Sequence, residues 1–289
     1  MDGMRRIDQA LETAVGRAAA SPAPPKLARA LRHAVFPGGA RVRPQLCLAV
    51  AGACGDDTPA LSDAAAAAIE LLHCASLVHD DLPCFDDADL RRGQPTVHVE
   101  YGEPLAVLVG DALIVMAFET LAMAGAAAPQ RLPGLVATMS RAAGAPTGLV
   151  AGQAWESEPC AVLSEYQRAK TGALFVAATM AGASAAGADP GPWRSLGDRL
   201  GEAYQVADDI RDAVADAEEL GKPVGRDASL ERPSAVGELG VDGAVARLHR
   251  YLGEAVDAIP DCPGHGALKD IVLLQAKRLT PKALAQTAA

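Results

Sequence analysis

The stretch Ala64-Ala65-Ala66-Ala67-Ala68-Ile69-Glu70-Leu71-Leu72-His73-Cys74-Ala75-Ser76-Leu77-Val78-His79-Asp80-Asp81-Leu82-Pro83 decides the fold class. It runs for five turns with no Gly or Pro before Pro83, and Ala and Leu are the strongest helix formers. Ser62-Asp63 upstream supply capping side chains, and Pro83 cannot continue the helix. An apolar helix over Leu61 to His79 follows, opening at its C-terminal end onto a run of carboxylates.

Outward from this helix the same pattern recurs. Ile7 to Ala20 and Pro25 to Val35 read as amphipathic helices, the second with Pro25 near its first turn. Phe36-Pro37-Gly38-Gly39 breaks the chain before a helix over Pro44 to Cys54. After a polar loop from Pro83 to Pro95, helical signals cover Pro104 to Ala124, Leu132 to Ala143, Leu149 to Trp155, Ser164 to Ala185 and Trp193 to Ala217. A charged, glycine-containing loop spans Gly221 to Pro233. Helices over Val241 to Ala258 and Gly266 to Leu284 complete the chain. No internal repeat and no alternating strand pattern is present. The expectation is all-α, with residues 1–289 forming a single domain.

Composition agrees. Of 289 residues, half are apolar and only 3% aromatic, so the core must be built from Ala, Leu and Val, which favours closely packed helices over a β-sandwich. The net charge of −10 without a basic run argues against nucleic acid as a partner. The six cysteines, Cys47, Cys54, Cys74, Cys84, Cys160 and Cys262, lack zinc-ligand spacing and read as thiols in a reducing compartment. The N-terminus carries no apolar signal region. The charge-free run from Thr171 to Ala188 is too rich in Ala, Gly, Thr and Ser to favour lipid. No membrane span and a cytoplasmic location are expected.

Two acidic motifs carry the chemistry. The first is Asp80-Asp81-Leu82-Pro83-Cys84-Phe85-Asp86-Asp87-Ala88-Asp89; the second is Asp208-Asp209-Ile210-Arg211-Asp212. Each ends an apolar helical segment. Asp208 and Asp212, at i and i+4, share a helical face with Cβ atoms about 6 Å apart, where like charges repel unless a cation sits between them. Pro83 interrupts the helix, which lets Asp86 fold back toward Asp80 and Asp81. Hard carboxylate oxygens with room for water suit Mg²⁺. An EF-hand is excluded, because its glycine and its twelfth-position glutamate are missing.

With these residues in order, the chain resembles the trans-isoprenyl diphosphate synthases. The resemblance rests on His79-Asp80-Asp81-Leu82-Pro83, Arg91-Arg92-Gly93, Lys170-Thr171-Gly172, Tyr204-Gln205-Val206-Ala207-Asp208-Asp209 and Gly221-Lys222-Pro223-Val224-Gly225. Phe36 to Pro44 and Ala151-Gly152-Gln153-Ala154-Trp155-Glu156 are similar to bacterial geranylgeranyl diphosphate synthases.

That resemblance implies a bundle of mostly antiparallel helices around a deep central cavity, a homodimer, and three Mg²⁺ ions bridging the acidic motifs and an allylic diphosphate. By analogy Asp80, Asp86 and Asp208 are direct metal ligands, with Asp81, Asp209 and Asp212 as ligands or their supports. Arg91, Lys170 and Lys222 grip the allylic diphosphate. Arg41, Arg43, His73 and Arg92 surround the diphosphate of isopentenyl diphosphate. Thr171 and Gln205 stand where the family stabilises the allylic cation. His73 lies two helical turns before Asp80 and so faces the same side.

Two positions depart from the family's pattern. Ala40 replaces its usual Lys, which should weaken isopentenyl diphosphate binding. Glu156 replaces a frequent Asp, an exchange expected to matter little. Ala75 and Ser76 are small where relatives with fifteen-carbon products often carry an aromatic residue. A twenty-carbon product, geranylgeranyl diphosphate, is therefore expected over farnesyl diphosphate. A terpene cyclase would carry Asn, Ser or Thr, and Glu in its second metal motif in place of these aspartates. A regulatory partner subunit of another prenyl synthase would have no need of two intact acidic motifs.

Overall fold

The computed structural model describes residues 3–160, 162–214 and 234–279, of which residues 214 and 276–279 are described by backbone alone. The described chain is helical almost throughout. In order the helices are α1 (Gly3–Ala18), α2 (Pro25–Val35), α3 (Val42–Ala53), α4 (Pro59–Asp80), α5 (Val97–Tyr101), α6 (Glu103–Ala124), α7 (Leu132–Ala143), α8 (Leu149–Ala154), α9 (Leu163–Gln167), α10 (Ala173–Ala185), α11 (Arg194–Val214), α12 (Ala235–Asp257) and α13 (His265–Leu279). The all-α expectation is met. The predicted loop from Gly221 to Pro233, and Lys222 within it, lies outside the described residues.

The chain divides into two compact units, Met1–Ser140 with Ala181–Asp189, and Arg141–Met180 with Pro190–Ala289. The first is organised around α4, which packs against α3 and α6. Ala64 to Ala68 are all 5% exposed or less, and their small side chains allow neighbouring backbones to approach closely. In the second unit α11 packs along α12 and against the chain preceding α10. Small residues again set the spacing. A Cβ on Gly201 would come within 2.8 Å of the Gly172 Cα, and one on Gly197 within 2.5 Å of the Val176 Cα.

Four local features depart from the sequence reading, the first being the short helix α5, Val97–Tyr101, where no helix was expected. A two-stranded hairpin pairs Leu90 with Pro95 and Arg91 with Gln94, where no strand was expected. Arg92 and Gly93 form its loop with φ of 55° and 74°, the doubly positive signature of a type I′ turn. The expected helix over Ser164 to Ala185 contains a π-helical turn, Arg168–Gly172, between α9 and α10. The helix expected from Val241 begins earlier, at Ala235, and is kinked at Gly240, whose φ is 70°.

Two helical stretches, Pro59–Asp80 and Glu103–Ala127, have the length and apolarity to cross a membrane. The apolar window of the first is 78% buried inside the protein, as befits a core helix. On α6, Leu108, Val115 and Met123 are exposed.

Candidate active site

In the first unit the acidic motif begins where α4 ends. Asp80 is its last residue and Asp81 caps it. Pro83 prevents another turn, and the chain reverses. The Phe85 amide donates to the Leu82 carbonyl at 2.9 Å, the Asp86 amide to the Asp80 carbonyl at 2.9 Å, and the Ala88 amide to the Asp81 carbonyl at 3.2 Å. Asp87 takes a left-handed φ of 47° within this reversal. Asp86 is thus returned to Asp80, as the proline predicts.

The hairpin that follows carries Arg91 back to Asp81. Arg91 Nε donates to both Asp81 carboxylate oxygens, at 2.9 and 3.2 Å, and Nη2 to one of them. Asp81 is buried, and burial raises its pKa even though the Arg91 guanidinium pulls the other way. Asp81 therefore braces Arg91 while Asp80, beside it, is more exposed.

Arg92, at the hairpin tip, lies against the Gly38-Gly39 turn. Its Nη1 donates to the Gly38 carbonyl, and a Cβ on Gly39 would come within 2.6 Å of its guanidinium carbon. Both glycines take positive φ, 91° and 131°, and the absent side chain of Gly39 leaves the room that arginine fills. His73 has its pKa held well below the ordinary imidazole value, by burial first and then by the cations of Arg43, Arg92, Arg91 and Arg41. Arg43, His73 and Arg92, predicted from sequence to hold one diphosphate, are electrostatic neighbours.

Arg41 corrects the sequence reading. Its Nη1 donates to Glu70 Oε1 at 2.6 Å and Nη2 to the Val35 carbonyl at 2.5 Å, and the side chain is 4% exposed. A guanidinium enclosed in this way anchors the loop before α3 to α4; it is not an open phosphate contact. Ser76 Oγ donates to the His73 carbonyl at 2.8 Å, and Ala75 is buried in α4.

In the second unit Lys170 sits on the π-helical turn, a local irregularity frequent at functional sites. Its Nζ donates to Glu156 Oε1 at 2.6 Å. Tyr166 Oη donates to the same oxygen at 2.7 Å, and Gln153 Nε2 donates to Oε2 at 3.0 Å. Gly152 underlies this turn, since a Cβ there would lie 2.5 Å from the Lys170 backbone nitrogen. The sequence reading did not find this cluster, because Glu156 meets Tyr166 and Lys170 only across the irregular chain between α8 and the π turn.

On α11 a chain of hydrogen bonds runs from Thr171 Oγ1 to Gln205 Oε1 at 2.9 Å and from Gln205 Nε2 to Asp209 Oδ1 at 3.0 Å. The Ala235 amide then donates to Asp209 Oδ2 at 2.7 Å. Asp209 is buried and ties the start of α12 to α11. Asp208 is more open and pairs with Arg211 at 2.8 Å. Asp212 follows it on the same helical face.

Among the described residues no three His, Cys, Asp or Glu side chains converge on one point. The acidic residues come instead as Asp80 with Asp86 in one unit and Asp208 with Asp212 in the other. Such donor sets fit Mg²⁺, which takes one or two protein carboxylates and completes its octahedron with water and phosphate oxygens.

All-α architecture with an aspartate-rich motif at the end of each of two long helices defines an isoprenoid synthase of the type I fold. The polyprenyl synthetase family model matches residues 24–256, and the chain belongs to that family of trans-prenyltransferases, which are generally Mg²⁺-dependent. It is 59% identical to a geranylgeranyl diphosphate synthase of Cereibacter sphaeroides over 97% of this chain and 98% of that one. It is 40% identical to a farnesyl diphosphate synthase of Geobacillus stearothermophilus over 86% of each. The solved structure of a Helicobacter pylori geranyltransferase complexed with magnesium and isoprenyl diphosphate superimposes with a TM-score of 0.79, at 29% identity, covering 96% of this chain and 98% of that one.

Proposed function

We propose that the protein condenses isopentenyl diphosphate with allylic diphosphates head to tail and that its product is geranylgeranyl diphosphate. The observation that carries this reading is the pair of acidic motifs, Asp80 to Asp86 and Asp208 to Asp212, ending α4 and lying on α11 in a chain with a 59% identical geranylgeranyl diphosphate synthase relative.

In this reading Asp80, Asp86 and Asp208 would be the direct ligands of Mg²⁺, three ions by the family resemblance, with Asp212 as a further ligand and the buried Asp81 and Asp209 as supports. The chemistry supplied by bound Mg²⁺ is neutralisation of the diphosphate as it leaves. Arg91, Lys170 and Lys222 add fixed positive charge on the allylic diphosphate. The allylic C–O bond breaks, its electron pair leaving with diphosphate. The double bond of isopentenyl diphosphate, held by Arg43, His73 and Arg92, attacks the cationic carbon. Thr171 and Gln205 present oxygen lone pairs toward that charge. Proton loss to the released diphosphate restores a double bond, so no dedicated protein base is needed.

Residues 1–289 form a single polyprenyl synthetase-like domain in this reading, as the family match over residues 24–256 supports. The exposed apolar side chains Leu108, Val115 and Met123 on α6 support a homodimer, and membership of the polyprenyl synthetase family supports a cytoplasmic protein. A fifteen-carbon product is the second reading, favoured by the farnesyl diphosphate synthase relative. Product masses after incubation of isopentenyl diphosphate and Mg²⁺ with each allylic starter test all of this. A twenty-carbon product supports the first reading and a fifteen-carbon one the second. No consumption of isopentenyl diphosphate overturns both.

A further inference from the structure

The geometry points to Glu156 and Tyr166 as positioning residues that hold Lys170 in place for the allylic diphosphate. The inference rests on the proposed role of Lys170 and deepens it. A lysine side chain has four rotatable methylene linkages and would ordinarily sample many positions. Here the ammonium is fixed at 2.6 Å from Glu156 Oε1. The carboxylate is itself fixed from two directions, by the Tyr166 hydroxyl at 2.7 Å and the Gln153 amide at 3.0 Å. Glu156 lies on a single 3₁₀ turn, Trp155–Ser157, and Tyr166 on α9, four residues before Lys170. The cluster therefore ties three consecutive elements to the π turn.

The partners are matched in kind as well as in distance. Both Glu156 and Lys170 are about one-fifth exposed, so their pairing is shielded from water more than a surface ion pair is. An ammonium carries three donors, and Glu156 takes one of them. Tyr166 also places its ring 5.9 Å from Lys170 Nζ, within reach of a cation–π contact. The hydroxyl thus orients the carboxylate and the ring flanks the ammonium. A side chain already ordered before substrate arrives loses less entropy on binding. Glu156, an exchange for Asp that the sequence alone rates as minor, becomes the residue whose reach sets where the ammonium stands.

The experiment measures the Michaelis constants for the allylic diphosphate and for isopentenyl diphosphate in Tyr166→Phe, Glu156→Gln and Lys170→Ala. Tyr166→Phe keeps the ring, removes one hydroxyl and serves as the variant least able to disturb folding. The expected result is an allylic constant raised about threefold to tenfold in both Tyr166→Phe and Glu156→Gln, with the isopentenyl diphosphate constant unchanged. Equal shifts in both constants would mean general damage and overturn the inference, as would a lowered allylic constant in Glu156→Gln. If Lys170→Ala raises the allylic constant while the other two leave it alone, the positioning role fails and the role of Lys170 stands. If Lys170→Ala itself leaves the allylic constant unchanged, the underlying reading of Lys170 fails.

Discussion

Arg41 and Glu70 form an ion pair at 2.6 Å with side-chain exposures of 4% and 2%. It joins the loop before α3 to the middle of α4, three residues before His73. Arg43 lies two residues beyond Arg41, and His73 three beyond Glu70, so the junction adjoins both. Arg41 itself sits at a left-handed φ of 47°, a conformation that non-glycine residues adopt only where the surroundings hold them.

Breaking this pair from one side leaves a buried charge without its partner. Arg41→Met is expected to cost about 3–5 kcal/mol, whereas Arg41→Met with Glu70→Met should recover most of that loss. Denaturant unfolding midpoints of the three proteins check it. A single variant as stable as the parent would show that the pair contributes nothing to the fold.

Gly152 tests the close approach at Lys170, and Gly16, which approaches nothing, is its contrast. A Cβ at Gly152 meets backbone atoms of Lys170 at 2.5 and 2.6 Å, and backbone cannot rotate aside. Gly152→Ala should cost about 1–3 kcal/mol and lower the turnover rate, because the π turn must shift. Gly16, exposed in α1, has nothing within 4 Å. Gly16→Ala should stabilise the protein by about 0.5–1 kcal/mol. Thermal unfolding of both variants decides.

His73 makes the fold sensitive to acid. Its folded pKa is depressed by burial and by the surrounding guanidiniums, so the unfolded chain binds a proton more readily than the folded one. Stability then rises with pH between the depressed folded value and the unfolded value of about 6.5, and is lost as pH falls below about 6.5. His73→Gln should flatten that part of the curve. Unfolding free energies of both proteins, measured from about pH 5 to about pH 8, test it. Parallel curves would show that His73 does not contribute to the slope.

The long helices were legible because each is an apolar or amphipathic run bounded by Pro, Gly or a capping residue, whereas the five-residue α5 is too short to show a period. The metal-binding candidates were legible because Pro83 and the i, i+4 spacing of Asp208 and Asp212 have direct geometric consequences. The hairpin at Leu90–Pro95 was not, since strands of two residues show no alternation; Arg92-Gly93 was its only trace. Arg41 was misread because a sequence gives charge but not burial. Its buried partner, Glu70, lies twenty-nine residues away. The partnership of Glu156 with Tyr166 and Lys170 was not legible either, since it joins residues ten and fourteen positions apart across an irregular stretch of chain.

Ala40 stands in the turn that Arg92 packs against, and its carbonyl accepts from Gln45 Nε2 at 2.6 Å. That backbone contact does not depend on the side chain, so Ala40→Lys should preserve the loop. A charge-assisted contact to phosphate is worth roughly 1.5–3 kcal/mol. The added ammonium should lower the Michaelis constant for isopentenyl diphosphate about tenfold or more, with the allylic constant little changed. An unchanged constant would show that another cation already fills that role.

Ala75 lies five residues before Asp80 on the same helix, so about 7–8 Å of helix separates it from the acidic end. It is 2% exposed and flanked by Cys74, also buried, while Ser76 is held to the His73 carbonyl. An alanine there takes up the least volume of any chiral residue, and length of product depends on how much room remains below the reacting carbon. Ala75→Tyr adds a ring to that space without touching an aspartate. The expected product shifts from twenty carbons to fifteen, read as a change in mass of the released diphosphate ester. The same variant tests packing, because inserting a ring into a filled site costs about 1–3 kcal/mol and would lower the unfolding temperature. A folded variant that still makes the longer product would place the limit on chain growth on residues other than Ala75.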